Sequence, residues 1–362
     1  MSKEIIQKKT SSKKLRKMVN EIQYNAGVEP KEKSGLSWFT YFLLVIDLCA
    51  VICFFVAYGP WSFVRDWLVT TALSTGSHQY YAYVLYTPEQ VSKVVSQNTT
   101  TQGEKFSNVN DIEFVDPSTI TSYSNVYEQQ ILEKEEGNDL YKIFAIDEGS
   151  YNGFVTVVYD PTRLDMVIAT GAYGAEVSEF AKKYDAVVAV NGGGYYVDDD
   201  YRKWPCSILI KDHEIYYDTG NTGEIVGMND EGVLMLMNST AQEAVDAGMK
   251  WGLEFGPFLI VNGKAAKFTG NGGYGYQPRT VIGQRKDGVI IILTIDGRGG
   301  NGSNGASMVQ LTELLLRYGV YNACNLDGGG STVLVENGTL INNPVSYQGT
   351  GERNVLDAII LK

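Results

Sequence analysis

Hydrophobic and polar positions divide the chain into parts with different patterns. Near the N-terminus, the run "WFTYFLLVIDLCAVICFFVAY" (38–58) contains a single charge, Asp47. About 20 apolar residues are needed to cross the hydrocarbon core, so this run predicts a membrane-spanning helix. Aromatic residues at both ends and a basic flank on one side favour a membrane span over a buried core helix.

The two stretches after this run differ from each other. Residues 59–140 are polar and irregular, with helical spacing only at 88–97, and we interpret them as a membrane-proximal stalk. From about residue 141, short β-rich runs such as "FVTVVYDPTRLDMVIA" and "VIIILTID" alternate with turn signals. Helical spacing returns at 176–184 and 307–318. The pattern predicts an α+β domain at 141–362, a strand-rich mixed sheet with few helices, behind the N-terminal transmembrane helix.

Charge is unequal on the two sides of the apolar run. Residues 1–37 contain nine Lys and Arg against four Asp and Glu, whereas residues 59–362 contain 21 against 37. The positive-inside rule places the basic arm in the cytoplasm and the acidic part outside the cell membrane, as a single-pass protein. The acidic part has no basic stripe, which argues against nucleic acid as a partner.

Two charged residues flank a predicted hairpin in the second half of the chain. The Asp-Gly dipeptide at 287–288 favours a two-residue turn. Pairing Lys286 with Val289 then places Arg279 directly opposite Asp296, and opposed residues share one face of a sheet. Both residues adjoin glycine-rich loops, "GNGGYGYQP" and "GRGGNGSNG", which favours a site over a surface ion pair.

A predicted crossover brings two acidic strand ends together. Strand, helix and strand in that order make the two strands parallel. Asp296 and Asp327 then follow the carboxyl ends of these strands, where open α/β sheets bind ligands. Glycine triplets follow both Asp327 and Asn191. Their backbone amides can approach an anion, as in phosphate-binding nests, although each triplet alone is also typical of a tight turn.

The β-rich domain resembles a known family, the phosphodiester glycosidases. Six segments resemble that family in order: "VNGGGYY" (190–196), "EFGPFLIVNG" (254–263), "PRTVIG" (278–283), "TIDGR" (294–298), "NLDGGGST" (325–332) and "NNPVSYQGTGERNV" (342–355). The resemblance runs from about residue 151 to residue 362 and does not reach the apolar run or the polar stretch. It implies a hydrolase that cleaves a sugar-1-phosphodiester to free sugar and a phosphomonoester.

The resemblance also implies which residues form the pocket. By motif they are Asn191, Glu254, Arg279, Asp296, Arg298, Asp327, Ser331 and Arg353. We expect Arg279 and Arg298 to hold the phosphate, helped by the amides of Gly328, Gly329 and Gly330. Asp327 or Glu254 is expected to act as nucleophile or base. Asp296 is expected to orient Arg279.

Several chemical questions stay open at this point. "NNPVS" stands where the family usually has Asn-x-Pro-Ser, which leaves a hydroxyl role for Ser346 open. No cofactor is required by these residues, but a divalent cation, Ca²⁺ or Mg²⁺, held by Asp and Asn oxygens stays open. Zinc-binding spacing is absent, and the two histidines, His78 and His213, lie outside the motifs. Cys206 and Cys324 are either two thiols or one disulfide.

The expected substrate follows from the expected location. A membrane-anchored hydrolase with an outward domain is expected to act on a cell-envelope glycopolymer or an exopolysaccharide. One alternative is a non-enzymatic cell-wall module whose many tyrosines, 24 in all, stack on glycans without turnover. Another is a phosphodiesterase that attacks phosphorus and releases sugar phosphate.

Overall fold

The computed structural model describes residues 2–26, 37–75, 78–346 and 349–362. Residues 1 and 27–36 of the predicted basic arm and residues 347–348 of the closing motif lie outside the described residues. The chain divides into two units, Met1–Pro60 and Trp61–Lys362.

The first unit contains two helices, α1 (Ser2–Asn25) and α2 (Trp38–Tyr58), over its described residues. The hydroxyl of Ser37 caps α2 by accepting from the Thr40 amide at 3.2 Å. Within the described residues, α2 is the helix whose length and composition suit a membrane span, and none of its residues is buried. The predicted apolar helix is thus confirmed, as a candidate membrane anchor or signal.

Helices of the second unit are short. Over the described residues they are α3 (Ser62–Leu73), α4 (Tyr80–Leu85), α5 (Pro88–Gln97), α6 (Val126–Leu132), α7 (Val177–Tyr184), α8 (Ala241–Asp246) and α9 (Met308–Arg317). Capping boxes begin α5, at Thr87, and α9, at Ser307. The helices predicted at 88–97, 176–184 and 307–318 are confirmed.

Strands dominate the second unit. They are β1 (Thr100–Thr101), β2 (Tyr141–Asp147), β3 (Asn152–Val158), β4 (Leu164–Ile168), β5 (Val188–Asn191), β6 (Tyr195–Val197), β7 (Lys203–Pro205), β8 (Leu209–Lys211), β9 (Glu214–Tyr217), β10 (Gly223–Met228), β11 (Leu234–Ser239), β12 (Trp251–Glu254), β13 (Phe258–Val261), β14 (Lys264–Ala265), β15 (Lys267–Phe268), β16 (Arg279–Arg285), β17 (Ile290–Ile295), β18 (Val320–Asn325), β19 (Leu334–Glu336), β20 (Thr339–Leu340), β21 (Val345–Ser346), β22 (Gly349–Thr350) and β23 (Asp357–Leu361).

Three larger sheets organise these strands. A seven-stranded sheet has the order β14-β13-β18-β16-β17-β3-β2, and two five-stranded sheets have the orders β11-β10-β12-β8-β9 and β20-β19-β5-β23-β4. Both β17 and β18 pair antiparallel with β16, so they run in the same direction with β16 between them. The predicted crossover is therefore confirmed, although its two strands are not neighbours. The α+β class is confirmed as well.

One core lies between the three sheets, and further cores lie under the helices. In β17, Ile290 and Ile292 face the shared core. The alternate residues Ile291, Leu293 and Ile295 face the helix α9. Side chains alternate between the two faces of a strand, so a strand that is buried on both faces has a continuous apolar sequence, as β17 does.

The polar stretch before the β-rich domain is more ordered than its sequence pattern suggests. Residues 61–140 belong to the same unit as the rest of the domain. Helices α3 to α5 share a small core that includes Val69, Ala82 and Val94, and β1 pairs with β15. Because α3 and α4 bury mostly small residues and leave large aromatic ones exposed, their spacing does not look amphipathic in the sequence.

The hairpin between β16 and β17 differs from the prediction by one residue. The Arg285 amide donates to the Val289 carbonyl at 2.9 Å, so the loop has three residues, with Gly288 at φ +90°. Arg279 is therefore paired with Ile295 and not with Asp296. A shift of one residue moves a side chain to the opposite face of a sheet, so the predicted pairing is wrong.

Candidate active site

Strand ends from two of the three large sheets meet at one cavity of about 2710 Å³. Arg279 begins β16, Glu254 ends β12, and Asp327 follows β18. Of the residues predicted for the pocket, its wall includes Glu254, Arg279, Arg298, Asp327, Gly328, Gly329, Gly330 and Arg353. Asn191, Asp296 and Ser331 are buried behind this wall.

Asp327 lies among arginine side chains. Its Oδ2 is 3.6 Å from Nη2 of Arg353, and its side chain is 19% exposed. Burial raises the pKa of the Asp327 carboxyl, while Arg353 and then Arg279 act in the opposite direction. Burial first, and then nearby Arg298, lower the pKa of Arg279 to about 10. Positive charge is thus concentrated beside a single carboxylate.

Each of these guanidinium groups is held in place by neighbours. Arg298 donates from Nε and Nη2 to Oε1 of Gln277, at 3.2 and 3.0 Å. Arg353 donates from Nε to the hydroxyl of Ser331 at 2.9 Å. Within the described residues, neither Arg279 nor Arg298 forms an ion pair. The cluster therefore has surplus positive charge in fixed positions, which suits a phosphate.

The glycine triplet after Asp327 gives these arginines room. A Cβ on Gly329, where φ is +60°, would lie 2.8 Å from Nη2 of Arg298, and one on Gly328 would lie 2.6 Å from the Pro278 carbonyl oxygen. The amide of Gly328 donates to Oδ1 of Asp327, and that of Gly329 donates to Pro278. Because these two amides already have acceptors, the predicted phosphate nest over the triplet is not formed by them.

The segment of the second glycine triplet, at 191–194, forms hydrogen bonds to the main chain at Asp327, directly before the first triplet. The Asp327 amide donates to the Gly192 carbonyl at 3.1 Å. The side-chain amide of Asn191 donates to the Asp327 carbonyl at 2.7 Å, and its Oδ1 accepts from the Thr280 hydroxyl at 2.6 Å. Asn191 therefore fixes the backbone at Asp327 from behind and does not reach the cavity wall.

Asp296 does not orient Arg279, contrary to the prediction. Its carboxylate accepts from the side chains of Asn301 and Asn342 and from the amide of Asn343. Arg279 instead donates to three main-chain carbonyls, those of Tyr274 at 2.7 Å, Gly275 at 3.2 Å and Ala306 at 3.3 Å. The one-residue difference in hairpin register separates the two side chains. Asp296 thus braces the loops behind the site.

Two further carboxylates near the site were missed in the sequence. Glu224 in β10 lines the cavity, and burial raises its pKa. Asp357 in β23 is fully buried; its Oδ1 accepts from the Gly193 amide at 2.6 Å, and among the residues that the structure describes its Oδ2 has no hydrogen-bond partner. Burial raises the pKa of Asp357 to about 7. In the sequence, Asp357 could have been found as the single acidic residue at the start of the apolar strand "DAIIL". No feature of the sequence around Glu224 pointed to the site.

His78 and side chains of α3 and α4 also line the cavity. They come from the stretch that the sequence assigned to a stalk. Over the described residues, no group of three or more His, Cys, Asp and Glu side chains is placed to hold a metal ion. Cys206 and Cys324 are free thiols and not a disulfide.

Residues 184–362 match the family model described as phosphodiester glycosidase. The human N-acetylglucosamine-1-phosphodiester alpha-N-acetylglucosaminidase is 26% identical over 221 residues, 54% of this chain and 42% of the human protein. The SPbeta prophage-derived uncharacterized protein YomE of Bacillus subtilis is 32% identical over 195 residues, 51% of this chain and 29% of that protein. This chain thus spans less than half the length of either relative.

A solved structure shares the fold. The zebrafish N-acetylglucosamine-1-phosphodiester alpha-N-acetylglucosaminidase catalytic domain, auto-inhibited by pro-peptide, matches with a TM-score of 0.52 and 21% identity, covering 63% of this chain and 85% of that one. The family match contains the strands that carry Glu254, Arg279 and Asp327. Residues 184–362 therefore form a phosphodiester glycosidase domain.

Proposed function

We propose that this protein hydrolyses a sugar-1-phosphodiester to free sugar and a phosphomonoester. The observation that carries this function is the surplus of fixed arginine charge around Asp327, in the part of the cavity wall that the family-matched region forms. The domain as a whole is acidic, so an anionic substrate needs this local positive cluster.

The arginines act on the leaving group. Arg298 and Arg353 bind the phosphate oxygens, and Arg279 adds charge from behind them. Because the phosphate leaves as a stabilised anion, cleavage of the C1–O bond needs little proton donation. Guanidinium groups that are already held by Gln277 and Ser331 need little reorganisation during the reaction.

The carboxylates act on the sugar. The anomeric carbon becomes oxocarbenium-like, and an ionised carboxylate stabilises or attacks it. Glu254 lines the cavity, and its Oε2 has no hydrogen-bond partner within the described residues, so its carboxylate is not committed to another group. Asp327 lies closer to the phosphate end, because Arg353 approaches it. One of these two groups serves as nucleophile or base.

The site of water attack tests this function. The full chain in lipid nanodiscs is incubated with an N-acetylglucosamine-1-phosphodiester in water enriched in oxygen-18, and both products are analysed by mass spectrometry. Label in the sugar supports C–O cleavage. Label in the phosphomonoester means attack at phosphorus and refutes the glycosidase reaction. Absence of any product returns the glycan-binding alternative.

Two arginine variants test whether the positive charge in the cavity is needed for turnover. Arg298→Gln should lower kcat/KM about 100-fold, since the loss of one fixed donor to a developing anion costs that much in other enzymes. Arg317→Gln is the control, because Arg317 pairs with Glu148 and does not line the cavity. Equal activity of the two variants would contradict the role of Arg298.

We also propose that α2 anchors the protein in a cell membrane, with residues 1–37 in the cytoplasm and the catalytic domain outside. The charge difference across the apolar run supports this orientation. A cell-envelope glycopolymer or an exopolysaccharide is then the accessible substrate. Protease added to intact cells should digest the catalytic domain and leave an N-terminal tag protected; digestion of the tag with protection of the catalytic domain would reverse the topology.

A further inference from the structure

The active-site cavity has walls of two chemical kinds. One wall carries Arg279, Arg298 and Arg353 beside Asp327. The other comes from α3 and α4 and is largely aromatic and aliphatic, with small hydroxyl side chains and His78 between the apolar groups. Its larger apolar members are Trp67, Leu68, Tyr81 and Leu85. A ligand that contacts both walls of the cavity needs an anionic group and an extended apolar group.

Two large aromatic side chains of the apolar wall are exposed. Trp67 is 43% exposed and Tyr81 is 49% exposed, although both face the cavity. On the outer side of the same two helices, Phe63 is 69% exposed and Tyr83 is 54% exposed. Exposed aromatic side chains that line a cavity, as Trp67 and Tyr81 do, are typical of a binding surface for an apolar group.

The apolar wall is attached to the catalytic wall through one loop. The side-chain amide of Asn271 donates to the Thr70 hydroxyl of α3 at 2.8 Å, and the main-chain amide of Asn271 donates to Oδ1 of Asn98, after α5, at 2.9 Å. Three residues later, the Tyr274 carbonyl accepts from Arg279. The helices and the arginine are therefore built against the same glycine-rich loop.

We propose, on the basis of the activity proposed above, that the group on the far side of the phosphate is a lipid. The sugar-1-phosphate head lies at the arginines, and the hydrocarbon chain lies along α3 and α4. Water oxygen bonds to the anomeric carbon as the C1–O bond breaks, its electron pair stays on the phosphate, and the lipid monophosphate takes up the proton that water releases. The products are free sugar and lipid phosphate.

The order of elements in the chain favours the same substrate class. Only residues 59–61 separate α2 from α3. If α2 lies in a membrane, as proposed, the helices that line the apolar wall follow directly on the membrane segment. A lipid-linked sugar phosphate is held by its chain in that same membrane. Aromatic side chains such as those of α3 and α4 favour the membrane interface.

Two substrates with the same sugar and different alcohols test this inference. The full chain in nanodiscs is assayed with the hexyl and the methyl phosphodiester of N-acetylglucosamine 1-phosphate. We expect kcat/KM to be at least about 10-fold higher for the hexyl substrate, since each added methylene favours burial. Tyr81→Ala should remove most of this preference, because it should lower turnover of the hexyl substrate much more than turnover of the methyl substrate.

Tyr83→Ala is the matched control, because Tyr83 lies on the same helix, is equally exposed and does not line the cavity. Tyr83→Ala should keep the wild-type preference for the hexyl substrate. Any partition of the hexyl chain into the nanodisc lipid is the same for both variants, so it does not contribute to the difference between them. Methyl turnover without hexyl preference overturns the lipid assignment and leaves the proposed hydrolysis intact. Faster methyl turnover in Tyr81→Ala also overturns it, because the helices would then obstruct the site.

If no turnover is measured, a binding experiment still tests the lipid site separately from the proposed hydrolysis. Hexyl phosphate and methyl phosphate are titrated against wild type, Tyr81→Ala and Tyr83→Ala by calorimetry. Tighter hexyl phosphate binding that is lost only in Tyr81→Ala supports the lipid site even when hydrolysis fails. Equal affinities for the two phosphates refute it.

Discussion

Replacing Asp357 by asparagine should remove a large pH dependence of stability. Asp357 is fully buried, and its pKa is raised by burial from 3.8 to about 7. Because the folded-state pKa is the higher one, the stability is fully present below about pH 3.8 and is lost as pH rises to about 7. At about 1.4 kcal/mol for each pKa unit, the loss amounts to about 4 kcal/mol.

The variant keeps the contact that the neutral acid makes. Oδ1 of the asparagine can still accept from the Gly193 amide, and the second position had no partner in the first place. The asparagine side chain stays neutral at every pH between 4 and 8. Asp357→Asn should therefore be more stable than the wild-type protein at pH 8 and similar to it at pH 4. For a domain of this size, about 4 kcal/mol corresponds to a Tm difference of roughly 8 °C.

Thermal unfolding of the full chain in nanodiscs, followed by near-UV circular dichroism between pH 4 and pH 8, measures this difference. Asp139→Asn is the control, because that side chain is 92% exposed. It should follow the wild-type profile. If the Tm values of wild type and Asp357→Asn change in parallel from pH 4 to pH 8, Asp357 is not a buried neutral acid and the reasoning is refuted.

Three further predictions concern the site. Gly329→Ala should lower kcat/KM at least about 10-fold, because its Cβ would displace Arg298; Gly338→Ala, also at positive φ but with open space around it, controls for backbone strain and should retain activity. EDTA should leave turnover unchanged, and a loss restored by Ca²⁺ or Mg²⁺ would contradict this. A maleimide should label the exposed Cys206 and spare the buried Cys324. Because Cys206 lines the cavity, a substrate analogue should slow the labelling of Cys206. Equal labelling rates with and without the analogue would contradict the placement of Cys206 in the cavity wall.

Much of the site was accessible from local sequence. Glu254, Arg279, Arg298 and Asp327 all adjoin short motifs, and each of them lines the cavity. Such motifs are readable because a strand end followed by glycine has few structural interpretations. The contact proposed between Arg279 and Asp296 was wrong because a register depends on the length of one turn, and a single extra residue reverses the face.

The stretch at 61–140 shows the opposite case. Its helix at 88–97 has a capping box and was predicted correctly. Helices α3 and α4 were missed, and so was their place in the cavity wall. They are stabilised by a shared core with α5, and α3 also by a hydrogen bond that the Asn271 side-chain amide donates to the Thr70 hydroxyl, 201 positions earlier. No local pattern reports contacts over that separation.

The sequence by itself determined the apolar helix, the α+β class, the family and the motif residues, because each of these depends on periodicity or on a few adjacent residues. The tertiary structure decided which of those residues reach the cavity. It placed Asn191, Asp296 and Ser331 behind the wall. Burial, and with it the pKa of a group such as Asp357, is a property of everything packed around a side chain, and it therefore exists only once the sheets have assembled.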